Sequence, residues 1–147
     1  MDNPKKRAVY IVLSLALLWA AHFLVDFMLG VWSVYKTIAG LDLAAAGLIA
    51  ALCAFTGEGA QLFFGSLSDR GHGKRLIVFG VVLTAVNALL ALTNSYALVF
   101  FLFLATCIGS GAFHPCAVAL VGGLTDRQNW LFIAVRLPLG GGFRLKS

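Results

Sequence analysis

The sequence predicts an all-α membrane protein with four transmembrane helices, and three observations carry that prediction. Of the 147 residues, 61% are hydrophobic and only 12% charged, against about 45–50% apolar and about 25% charged in a soluble domain. The apolar residues fall in long runs at 8–29, 43–64, 76–93 and 97–124, and a hydrocarbon core of about 30 Å needs roughly 20 apolar residues per helix. The cations lie in short segments between and beyond those runs. A net charge of +5 therefore reads as a topology signal, with the lipid bilayer as partner and no nucleic acid.

The first run, Ala8 to Leu29, follows the basic start Lys5-Lys6-Arg7 and is interrupted only by His22 and Asp26. At about 1.5 Å per residue it spans about 33 Å, longer than a signal-peptide core and carrying an acid, so it is expected to stay uncleaved. The link Gly30 to Asp42 carries Trp32, Tyr35 and Lys36, amphipathic groups suited to the outer membrane surface. The second run, Leu43 to Phe64, holds Glu58 and Gln61 three residues apart on one helix face.

A polar loop, Gly65 to Arg75, precedes the third run, Leu76 to Thr93, which contains Asn87. Asn94-Ser95 then makes a tight turn, so the third and fourth helices form a close hairpin. The fourth run, Ala97 to Leu124, carries Gly109, Gly111, His114 and Pro115 and is long enough to tilt or kink. Small residues such as Ala44, Ala45, Ala46, Gly47, Gly109 and Gly111 are expected to pack the helices together.

Lys5, Lys6 and Arg7 at the start, Arg70, Lys74 and Arg75 in the second link and Arg127 after the fourth run outweigh Lys36 in the first link. The positive-inside rule then puts both termini and the 65–75 loop in the cytoplasm. Residues 1–124 form the membrane domain, and 125–147 a short cytoplasmic tail. In that tail an apolar stretch, Trp130 to Val135, is stopped by Arg136, Pro138 and Gly140-Gly141-Gly142, too short to be a fifth span.

Ionisable residues at membrane depth are costly and usually face a bundle interior or a wet cavity. His22 and Asp26 lie one turn apart on one face, placed to bind a proton or cation or to pair with each other. Glu58, flanked by apolar residues with Gln61 a turn away, suits a proton carrier, and His114 is the fourth candidate. For each, the competing reading is a structural hydrogen bond between helices. No compact H-E-x-x-H or C-x-x-C spacing is present and the groups sit on three helices, so no metal is expected. Cys53, Cys107 and Cys116 read as free thiols within apolar runs. No G-x-S-x-G elbow or catalytic set appears, so neither an enzyme nor a cofactor is expected.

The stretch Gly65-Ser66-Leu67-Ser68-Asp69-Arg70-Gly71-His72-Gly73-Lys74-Arg75 is the most specific signal. Through Gly65, Asp69, Arg70, Gly73, Lys74 and Arg75 it resembles the signature between spans two and three of major facilitator transporters. Ala21-His22-Phe23-Leu24-Val25-Asp26 and Gly109-Ser110-Gly111-Ala112-Phe113-His114-Pro115 resemble the fosmidomycin-resistance-type exporters of that superfamily. The resemblance covers about residues 8 to 135. It implies a proton-driven inner-membrane exporter of small molecules or drugs, with twelve helices in two halves and alternating access. The 65–75 residues would then gate the cytoplasmic side, and His22, Asp26, Glu58 and His114 would line the cavity.

The chain departs from that pattern at three places. His72 stands where the family loop usually has glycine, the fourth run holds no arginine, and only four spans precede the tail. The expectation is thus a truncated, N-terminal fragment of such an exporter, with a separate chain or a second copy supplying the rest. The alternatives are a stand-alone four-helix dimeric exporter built around Asp26, and an inert or partner-dependent membrane fragment.

Overall fold

The computed structural model describes residues 4–124, which are helical apart from short links at 39–42 and 93–95. Helix α1 spans Pro4–Ile38, α2 spans Leu43–Leu67, α3 spans Gly73–Ala85 and winds more tightly through Val86–Leu92, and α4 spans Tyr96–Leu124. The tail at 125–147, with the expected aborted span, lies outside the described residues.

Helix α1 corrects the first boundary. The link expected at 30–42 is mostly helix, because nothing breaks the α conformation before Gly40 turns left-handed at φ 59°. Trp32 lies within this helix, buried and stacked on Phe103 with ring centroids 4.3 Å apart. Asp42 caps α2 by accepting from the Ala45 N–H at 2.9 Å.

Three stretches are long and apolar enough to cross a membrane: Val9–Ile38, Leu43–Leu92 and Tyr96–Leu124. Four separate spans are not matched at this level, since the second and third runs join in one helical stretch of 50 residues. The 65–75 loop is itself largely helical, with α2 running to Leu67 and α3 starting at Gly73. A straight rod of that length would measure about 75 Å. The stretch instead reverses within Ser68–His72, where Gly71 takes φ 91°, a conformation glycine adopts without steric cost.

The two arms then lie antiparallel on either side of α4. Gly57 of α2 meets Cys107 and Gly111, whereas Gly80 of α3 meets Gly109 and Phe113. Gly109 and Gly111 are two residues apart, which rotates them about 200° around α4. One of them therefore faces each neighbour. Among the small residues expected at interfaces, Ala46 is buried, but Ala44 and Gly47 are exposed; Gly57 and Gly80 take their place. Helix α1 crosses the same pair, with Leu18, Val25, Phe113 and Ala117 in one core cluster and Trp32, Leu90 and Phe103 in another.

A buried polar bridge ties three helices together. Asn87 donates to the Met28 carbonyl, and the Thr106 hydroxyl lies 3.3 Å from Asn87 Oδ1. Pairing Asn87 on both sides satisfies a group that would be expensive to leave open in an apolar interior. The three cysteines are free and buried. Large apolar side chains such as Trp19, Phe23, Phe27, Phe55 and Leu62 remain on the outer surface, as lipid-facing helices require.

Candidate functional site

The site starts on α1, where the four-residue spacing stacks His22 over Asp26 on one face. Their side chains meet, with His22 Nε2 3.1 Å from Asp26 Oδ2. Helix α4 supplies the third group. It runs antiparallel to α1, and Phe113, completely buried between α1 and α3, fixes its rotation so that the next residue emerges beside α1. His114 Nε2 comes within 3.5 Å of Asp26 Oδ1. The two imidazoles meet edge to face at 5.0 Å. Pro115 follows at once, inside the helix, and has no N–H to offer the carbonyl one turn back.

The three side chains therefore share one carboxylate, each histidine addressing a different oxygen. His22 and Asp26 are 52% and 56% exposed and His114 is 28% exposed, so the cluster opens out of the bundle instead of being sealed in its core. Spacing within the sequence argued against ligands on separate helices acting together. The fold overrides that argument, and the ligand atoms of His22, Asp26 and His114 all lie within 4.8 Å of one another.

Glu58 and Gln61 form a second polar pair, on α2. Gln61 Nε2 donates to Glu58 Oε2 at 2.7 Å, as their three-residue spacing predicted. Glu58 is exposed and stays outside the histidine–aspartate triad. The five residues singled out within the apolar runs thus fall into two groups, the triad and the Glu58–Gln61 pair.

The loop residues gather elsewhere, at the Ser68–His72 reversal. Asp69, Arg70, Lys74 and Arg75 are exposed there. Gly73 sits tightly against Ser68, whose Oγ would be 2.9 Å from an added Cβ, and Gly65 faces Pro115. Antiparallel packing brings this reversal to the same end of the bundle as the start of α1 and the end of α4. It is thus separate from the triad, which lies about halfway along α1.

Sequence reasoning missed Asn87 as a tie between helices and Gly57 and Gly80 as points of close approach. The signal for Asn87 was present as a lone amide inside an apolar run. For the glycines no local pattern distinguished the ones in contact from the ones facing lipid.

The family model described as Major Facilitator Superfamily matches residues 7–142. No curated protein and no solved structure matches the chain. The match takes in the paired polar groups of α1, α2 and α4 as well as the glycine-hinged cationic reversal between α2 and α3. The chain belongs to the Major Facilitator Superfamily, and it is a multi-pass membrane protein of a transport family.

Proposed function

We propose that the chain forms the first part of a proton-coupled exporter of small molecules, of the fosmidomycin-resistance type. The observation that carries this reading is the convergence of His22, Asp26 and His114 on an open face of the bundle. Ionisable groups gathered at membrane depth in a transporter mark a substrate or ion pathway. Glu58, on a different helix from the triad and hydrogen-bonded by Gln61, is the proton carrier in this reading. The triad contacts substrate.

The four helical arms cross the inner membrane, with both termini and the Ser68–His72 reversal cytoplasmic. Charge supports that orientation: Lys6, Arg70, Lys74 and Arg75 are exposed at one end of the bundle, and Lys36 lies at the other. Asp69 and the neighbouring cations gate the cytoplasmic side by meeting a second half or a second copy across the open face. The exposed His22 and Asp26 support such a partner, because polar groups at that depth are not left against lipid.

Everted membrane vesicles carrying the chain test the proton role. Adding fosmidomycin should dissipate an imposed pH gradient, and Glu58→Gln should abolish that response. A response of equal size in the Glu58→Gln vesicles would remove Glu58 from proton coupling.

A further inference from the structure

We infer that His22, Asp26 and His114 form a binding site for a divalent transition-metal cation of the Zn²⁺ class. Two imidazoles and a carboxylate are a ligand set that zinc and its first-row neighbours take readily. Ligand bonds of about 2.0–2.2 Å in a tetrahedral site place the ligand atoms about 3.3–3.5 Å apart. His22 Nε2 lies 3.1 Å from Asp26 Oδ2 and His114 Nε2 3.5 Å from Asp26 Oδ1, both near that spacing, and the three ligand atoms lie within 4.8 Å of one another. Turning the Asp26 carboxylate and drawing the two imidazoles in from within 4.8 Å closes the triad around one ion.

The arrangement also has the shape of a site that exchanges its ion. Three protein ligands leave the fourth tetrahedral position open. That position faces out of the bundle, since His22 and Asp26 are both about half exposed, so water or a ligand oxygen can reach it. Each imidazole presents Nε2 to Asp26, and the neutral tautomer that ligates through Nε2 keeps its proton on Nδ1.

The inference stands on geometry and does not require that the chain move protons or drugs, because binding is read at equilibrium without a gradient. The full chain in lipid nanodiscs is titrated with Zn²⁺ by calorimetry and with Co²⁺ by visible absorption. One ion per chain is expected, with Co²⁺ bands of the intensity of a four-coordinate site. His114→Gln and Asp26→Asn should each weaken binding more than about a hundred-fold, beyond the usual cost of losing an outer-shell partner. His22→Gln, at an exposed position where folding is least at risk, should do the same. His72→Gln, which removes the remaining histidine, should bind as the parent does. Binding that survives the combined His22→Gln and His114→Gln change, or that disappears when the buried cysteines are replaced by alanine in a folded chain, would overturn the assignment. So would a parent chain that binds neither ion.

Discussion

Gly111 of α4 lies directly against the backbone carbonyl of Gly57 of α2. With no Cβ on either residue, the helices approach until main chain touches main chain, the arrangement that favours association within lipid. Apolar side chains gain little from leaving lipid for a protein interior, so close approach of this kind carries much of the bundle's packing energy. Gly111→Val should therefore lower the unfolding free energy by about 1–3 kcal/mol. Thermal or SDS titration in detergent measures it, with Gly122→Ala, where an added Cβ meets nothing within 4 Å, as the neutral reference.

The bridge from Met28 through Asn87 to Thr106 should be cooperative. Asn87→Ala leaves Thr106 only the Leu102 carbonyl, 2.9 Å away, and is expected to cost about 1 kcal/mol. A double-mutant cycle with Thr106→Val should return a coupling energy of a few tenths of a kcal/mol or more. Additive losses would show that the two side chains act independently.

Gly71 holds the reversal between α2 and α3 at φ 91°. An added Cβ would meet no neighbour there, so Gly71→Ala isolates backbone strain from crowding. A loss of about 1 kcal/mol is expected. A second substitution, Gly73→Ala, should instead act through Ser68 and be relieved by Ser68→Gly, which separates the two causes.

The number of membrane crossings is open to direct measurement. Cys53, Cys107 and Cys116 are at most 6% exposed and should label with a membrane-impermeant maleimide only after unfolding. Against that background, single cysteines at Ser95 and at Ser66 should label from opposite sides of the membrane. Labelling of both from the same side would show that the Leu43–Leu92 stretch does not fold back through the bilayer.

Much of the site was legible before any fold. His22 with Asp26, and Glu58 with Gln61, are local pairs, and a helix of 3.6 residues per turn brings such neighbours together whatever surrounds it. The glycines and charges of 65–75 likewise announced a reversal, although its helical character did not show, because the residues there form regular turns on both sides of Gly71. His114 could be named as a candidate but not placed. Its partners lie some ninety residues earlier in the chain, and no local pattern encodes which face of α4 meets α1.

The sequence by itself determined that this chain belongs in a membrane and which polar residues its apolar runs carry, but not that α1 continues to Ile38 or that the second and third runs join in one helical stretch of 50 residues. What it determined follows from bilayer thickness and helix rise, which act on composition and length alone. Tertiary structure decided that Trp32 packs against Phe103, that Gly57 and Gly80 and not Gly47 bear the close contacts, and that two histidines from different helices share Asp26. In lipid both faces of a helix can be equally apolar. Hydropathy therefore does not mark the face that packs, and only the fit of one backbone against another selects it.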